Sequence, residues 1–404
     1  MDIEALRKTL RLQYEYPGIE ERWRASQETY VDQSDKFLDD DYLYESFQFA
    51  GIPAPMQKSF RRAANTICEN EMLKRLFWHT HRELFIEERA AAAKKITPLP
   101  EWAMGKDAAL FAALVVLSSI GRLKDIHAHR NIPEQYTKAA YRDLTIWTLD
   151  HQKKNSNLGF SNMGWLLNPF RKKLFRIGRL QFMPTAFSQP FQIFEKVKSK
   201  DVIIIPENNL EFNKLGHREG VNGAVNSSES WLSNITIKNK ILTSNCMIKK
   251  GIAKHGEITI DLREWESSFD RDSTVLDVHI PEDGPLDNDA CLDDYASAIL
   301  FFKQYFPEFK IKGFKCTSWL LDYQFQSLLS EQSNIVQFQN NFHLFPTLEG
   351  EKQTIERVFD SVPLDEHTVP RKSRLQKSLL EHHKGGGRFY SGGGVFLAEH
   401  LIKD

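Results

Sequence analysis

The residues best suited to chemistry fall within 275–320, where VLDVHIP, EDGPLDN, DACLDDYASAILFFKQYF and FKCTSWLL follow one another. His279 closes a strand-like run, and Pro281, which has no N–H, ends pairing beyond it. An imidazole there suits a general base or a substrate-orienting group, although a structural histidine bonded to a nearby carbonyl explains it equally. In 282–288, Asp287 and Asn288 are good helix N-caps and Gly284 permits close backbone approach. The first N–H groups of such a helix suit a phosphate or pyrophosphate, provided Glu282 and Asp283 face solvent. A plain strand-to-helix turn is the competing reading. Further on, Cys316 and Ser318 share one face of a strand, with Thr317 and Trp319 on the other. A nucleophile here needs a base such as His279, and no GxSxG surrounds the serine. A hydroxyl that bonds a ligand is the simpler role for Ser318.

Other motifs carry less. The HTH at 79–81 and HAH at 127–129 put their two rings on different helix faces, as solvated histidines rather than a metal site. GGGRFYSGGG (385–394) lacks the Lys and Ser/Thr of a phosphate-binding Walker loop. It reads either as a flexible turn or as a backbone wall over a ligand, with Arg388 near a phosphate. Cys68, Cys246, Cys291 and Cys316 are far apart, which points to free thiols in a reducing compartment, the cytoplasm by default. The net charge of −1 gives no support to nucleic-acid or membrane attraction. The opening MDIEALRKTLRLQYEYPG has no apolar signal-peptide core. The apolar run 108–121 reads as a buried core helix.

These groups need elements to position them. A chain of 404 residues favours two domains. Residues 1–154 carry helical periodicity, with Asp2 as a cap for a first helix, one long helical stretch over 58–95, and another from Pro133 to about Asp150. Residues 155–404 change character: LFRIGRLQFMP, FQIFEKV, DVIIIP, SNITIKN, KILTSNCMI and GEITIDL alternate as strands. The polar stretch 206–231 is a loop or insertion, and loops of that length are usually functional or mobile. A strand pair is expected near 333–345 and a helix near 370–382. The fold class is α+β, a helical N-terminal domain followed by a mixed α/β domain.

HIPEDGPL, a helix ending in FFKQYFP, CTSWLLD and SNIVQFQNNFHLF together resemble a bacterial acyltransferase-domain family. GRLQF at 178–182 and the YPGIEERWRAS opening fit the same pattern, so the resemblance spans nearly the whole chain. It implies a helical N-acyltransferase N-terminal domain and a GNAT-like C-terminal domain with a central, mostly antiparallel sheet. It also implies a strand over VLDVHIP, a pyrophosphate loop at 282–288, a helix at 289–305, and a splayed strand at FKCTSWLL that opens a slot for pantetheine. The usual Gln/Arg-x-x-Gly-x-Gly/Ala signature is absent from that loop, which implies altered phosphate contacts.

The implied reaction transfers an acyl group, expected to be acetyl, from coenzyme A to an amine on a small molecule or peptide. His279 is then the expected base, Tyr323 the acid, and Ser318 a partner for the thiolate. Coenzyme A is expected to meet His279, Ile280, Pro281, Gly284, Pro285, Leu286, Asp287, Asn288, Ser318, Trp319 and Arg388. No metal, nucleic acid or membrane is implied, and a homodimer is compatible with the resemblance. The alternatives are a non-catalytic coenzyme A or nucleotide sensor, a hydrolase built on Cys316 or Ser318 with His279, and a protein-interaction module.

Overall fold

The helical periodicity of the first 155 residues is cut into segments by its own capping residues. In the computed structural model, which describes residues 3–12, 16–30, 33–89, 93, 95–96, 98–160, 163–171, 173–223, 229–360 and 362–401, the helix Asp40–Ala50 starts on Asp39. The Asp39 carboxylate accepts from Tyr42 N at 2.7 Å. The expected stretch over 58–95 divides into the helices Ala54–Cys68 and Glu71–His81 because the Asn70 side chain accepts from Met72 N and Leu73 N. An Asx residue bonded to the backbone this way is worth more as a cap than in a helix interior. Asp2, expected as a cap, lies outside the described residues, as do 224–228 of the polar insertion.

Contacts divide the chain into two units, one of Met1–Ile177 with Pro281–Asp283, the other of Gly178–Ile280 with Gly284–Asp404. No strand occurs among the described residues of 1–160. The first unit packs a single large core, among it Phe47, Phe60, Phe77 and Phe111. The helical run Glu101–Ala128 is long and apolar enough to cross a membrane, and 83% of its most apolar stretch is buried in this core. Of the four histidines in HTH and HAH only His129 is exposed as expected. His79, His81 and His127 are buried, because the helices that carry them are covered on several sides. Glu83, fully buried, accepts two bonds from Arg22 Nε at 2.9 and 2.7 Å.

In the second unit the predicted alternation becomes two sheets. The strands in chain order, with β1 (Phe175–Ile177) preceding the unit, are β2 (Leu180–Ala186), β3 (Phe191–Lys196), β4 (Val202–Pro206), β5 (Glu211–Phe212), β6 (Trp231–Leu232) and β7 (Ile235–Lys238). Then come β8 (Ile241–Lys249), β9 (Ile252–Asp261), β10 (Trp265–Phe269), β11 (Thr274–His279), β12 (Gly313–Ser318), β13 (His343–Gly350) and β14 (Tyr390–Leu397). One sheet runs β2-β11-β12-β14-β13, the other β10-β3-β4-β8-β7 with β9 also on β8, and β5 pairs with β6. Among the described strand pairs of this unit only β11–β12 is parallel. Phe187, Phe191, Ile193, Val275, Phe345 and Val395 fill the space between the two sheets.

The helix Asn288–Tyr305 covers the opposite face of the first sheet through Tyr295, which meets Phe182 and Phe314. Its Asp294 carboxylate accepts from Arg179 N and Leu180 N at 2.6 and 3.0 Å. A Cβ at Gly178 (φ 65°) would fall on that carboxylate, which explains the Gly-Arg-Leu of the motif.

Two expectations change. Residues 333–345 are not a strand pair. Ser333 caps a helix, Asn334–Gln339, and only β13 follows. The second glycine triplet is not a flexible turn but the middle of β14, inside the sheet between β12 and β13. A Cβ at Gly392 would strike the Leu321 carbonyl, one at Gly393 the Phe345 ring, and one at Gly394 Phe342. Glycine is usually a poor strand former, but here no other residue fits.

Candidate active site

The geometry of the site starts from how β11 and β12 part. Their register holds Leu276 opposite Phe314 and Asp277 opposite Lys315, and goes no further. Past that point β11 stays paired to β2 through His279–Gln181, and β12 stays paired to β14 through Ser318–Gly392. The two strands therefore separate, and their facing backbone groups are left for another partner. A slot bordered by 278–280 and 316–318 is the result.

Strand alternation decides what projects from this slot. Val275, Asp277 and His279 share the face toward the second sheet; Phe314, Cys316 and Ser318 share the face toward helix 288–305. His279 and Ser318 thus project from opposite faces and do not form a pair. His279 Nε2 lies 3.9 Å from Asp277 Oδ2, and Lys315 Nζ reaches the same oxygen at 3.0 Å. The Ser318 hydroxyl oxygen accepts from Leu320 N at 3.2 Å and starts the turn Trp319–Leu321. Cys316 is buried, burial raises its thiol pKa, and it sits on the face away from His279. A thiolate nucleophile with a histidine base is not assembled here.

The expected phosphate loop has a different character. Asp287 caps helix 288–305, taking Ala290 N at 2.9 Å, and Asp289 adds a second acid to the first turn. That charge opposes an anion at the positive end of the helix dipole. Arg179 holds the loop from outside, donating to the carbonyls of Gly284 at 2.7 Å and Pro285 at 2.8 Å. At Gly284 a Cβ would meet only Arg179 at 3.6 Å, so nothing requires glycine there. Leu286 is buried, and the Asn288 side chain accepts from Asn341. Ile280 remains with β11, whereas Pro281–Asp283 group with the first unit, where Asp283 pairs with Arg176. Glu282 is exposed.

Two further expected coenzyme contacts are engaged elsewhere. Trp319 packs edge-on against Phe325 at 6.1 Å in a separate small core. Arg388 forms a two-point pair with Glu351 at 2.7 and 2.6 Å, so its guanidinium is taken by a carboxylate rather than held open for a phosphate.

Tyr323 leads to groups that the sequence did not flag. Just past the end of β12 it borders a small open cleft with His217, Gly251, Leu321, Asp322, Pro346, Thr347, Tyr390, Ser391 and Gly392. The ring of His217 stacks on Tyr390 at 3.7 Å and lies 5.5 Å from Tyr323. Asp322, only 1% exposed, accepts from Tyr390 N at 2.9 Å and from Gln324 N at 3.1 Å. Burial pushes Asp322 up to about 6 and Tyr323 up to about 12, and lowers His217 to about 4. His217 belongs to the 206–231 stretch. Asn213 fixes it there, its side chain accepting from His217 N at 3.2 Å, while Ala253 N donates to the Gly216 carbonyl at 2.9 Å. The one signal for it in the sequence was a long polar loop inside a strand-rich region.

One group of possible metal ligands occurs among the described residues, Glu195, Glu399 and His400. Lys200 already occupies it, 3.3 Å from Glu195 and 3.7 Å from Glu399.

A strand that parts from its parallel neighbour beside a capped helix agrees with the GNAT-like order expected from the sequence. Residues 174–396 match the GNAT-like C-terminal domain and residues 41–172 the N-acyltransferase N-terminal domain, and the chain belongs to that acyltransferase family. It is similar in fold to an acyltransferase variant solved with octanoyl-CoA, at 18% identity and TM-score 0.64, over 98% of this chain and 99% of that one. An acyltransferase solved with decanoyl-CoA and teicoplanin gives 19% identity and TM-score 0.64, over 98% and 100%. A third, an acyltransferase with decanoyl-CoA, gives 21% and 0.62, over 98% and 99%. Comparison with curated proteins gave no match.

Proposed function

We propose that this chain is an acyl-CoA-dependent N-acyltransferase whose donor arm lies in the slot between β11 and β12. The observation that carries the reading is the loss of β11–β12 register after Asp277 and Lys315, which leaves strand-edge N–H and C=O groups for the amides of a pantetheine arm. A backbone N–H at the strand end polarises the thioester carbonyl. Tyr323, held protonated by burial, supplies the proton to the departing thiolate. His279 and Ser318 border the slot from opposite faces. The phosphates find their contacts away from the acidic start of helix 288–305 and away from Arg388.

The structural neighbours carry octanoyl- and decanoyl-CoA, so medium-length acyl chains stand beside acetyl as donors. One neighbour carries teicoplanin, which supports a bulky natural product as an acceptor. The four cysteines are all free, which supports a reducing cytoplasmic setting.

Thermal-shift titration with coenzyme A and with acetyl-, octanoyl- and decanoyl-CoA tests the donor. A ligand bound only by the folded state at a hundred times its Kd adds about 2.7 kcal/mol. A rise with at least one species is expected. An unchanged melting temperature with all four would sink the reading, and binding without release of free thiol over a panel of amines would leave a sensor.

A further inference from the structure

We propose that the cleft formed by His217, Tyr323 and Tyr390 over Asp322 is the acceptor site, which takes a primary amine, and that His217 removes its proton. The inference rests on the acyltransferase reading above and deepens it.

Position comes first. Gly392 lines the cleft and pairs with Ser318, the last residue of β12. Adjacent strands lie about 4.8 Å apart, so the cleft opens within one strand of the slot mouth. Leu321, Asp322 and Tyr323 follow β12 through the turn Trp319–Leu321 into the cleft wall, and His217 joins them there from the 206–231 stretch. An amine seated in the cleft beside His217 and Tyr323 approaches a thioester held at the end of β12.

The hydrogen bonds come second. His217 is 4% exposed, and its ring nitrogens take no hydrogen bond among the described residues. Its backbone N–H and carbonyl are both used, so the segment is fixed while the ring stays available. Neither ring nitrogen is among the buried polar atoms left without a partner, so both are reachable from the cleft that His217 lines. Asp322 acts as a positioning residue, because its carboxylate anchors Tyr390 N and Gln324 N and thereby the ring on which His217 stacks. The charged and titratable groups around His217 are Asp322, Tyr323 and Tyr390, with Arg218 next in its own segment and the Arg388–Glu351 pair beyond Tyr390. Burial keeps the imidazole neutral at pH 7, the form that accepts a proton.

The step balances as follows. A ring nitrogen of His217 takes one proton from the ammonium, and the freed nitrogen lone pair forms the N–C bond to the thioester carbonyl. The C–S bond then breaks with its electron pair on sulfur. Tyr323 protonates the thiolate and regains a proton from the amide nitrogen, while His217 releases its own to solvent. The products are an amide, the free thiol of coenzyme A and one proton.

The test uses the full chain with decanoyl-CoA, a panel of protonated primary amines (n-butylamine, ethanolamine, glycylglycine) and hydroxylamine, which is neutral at pH 7. His217→Ala and His217→Gln are expected to lower kcat/KM for the best protonated amine about 10²- to 10⁴-fold. The loss with hydroxylamine is expected to be at least tenfold smaller, with decanoyl-CoA affinity within twofold of wild type. Equal losses with both kinds of amine in both variants, or a loss below threefold, overturn the assignment while leaving the acyltransferase reading standing. Wild-type protein that binds decanoyl-CoA yet acylates no amine overturns both.

Discussion

Three buried histidines of the helical unit and His217 of the α/β unit differ in one respect. In the helical unit His79 bonds Ser26 and the Pro17 carbonyl, both at 2.8 Å; His81 bonds Ser118 and His127 bonds Thr137, each at 2.7 Å. In the α/β unit His217 is as deeply buried, and burial lowers all four to about 4. Burial and proton affinity therefore do not tell a structural histidine from a working one. The surroundings separate these four: each of the first three bonds a ring nitrogen to its own fold, whereas His217 has no ring hydrogen bond among the described residues and lines a cleft.

This contrast breaks most visibly at His217. His217→Ala should lower amine acylation by about two to four decades, an increase of about 3–5 kcal/mol in the barrier, with little change in the urea midpoint. Next comes the helical unit. Glu83→Ala leaves the Arg22 guanidinium without its buried partner and should cost about 3–5 kcal/mol in urea unfolding, with kinetics per folded molecule unchanged. His79→Ala empties a buried site and takes the ring partner from the Pro17 carbonyl, and should cost about 2–4 kcal/mol with acylation intact. A His79 variant that loses activity at full stability would erase the distinction.

The smallest effect is in pH. A histidine depressed from 6.5 to about 4 contributes stability that is complete above 6.5 and is lost as pH falls toward 4. Asp322, raised from 3.8 to about 6, has the opposite sign: its contribution is present below 3.8 and is lost as pH rises through 6. The urea midpoint should fall between pH 7 and 4.5. His79→Ala should flatten that fall, and Asp322→Asn should steepen it.

Local signals carried much of the architecture. The Asp287 cap and the periodicity after it placed helix 288–305, and alternation placed β3, β4, β7, β8, β9 and β11. The GNAT-like order followed from motif resemblance, and Tyr323 came with it. His217 was hidden because it meets Tyr323 across 106 residues, in a stretch without periodicity. Asp322 was hidden because burial, which raises its proton affinity, is a property of the packed chain. Gly392, Gly393 and Gly394 misled because composition reports their freedom, whereas neighbouring atoms remove it. At 333–345 the Ser333 cap outweighed the apparent alternation.

The glycine strand also bears on how the acceptor range of this enzyme can drift. One wall of the cleft, at Gly392, is bare backbone that no substitution can enlarge, charge or oxidise without displacing Leu321. The described part of the 206–231 stretch contributes His217 to that lining. New acceptor preferences must therefore come from the other side chains of the lining, while Gly392 stays chemically silent.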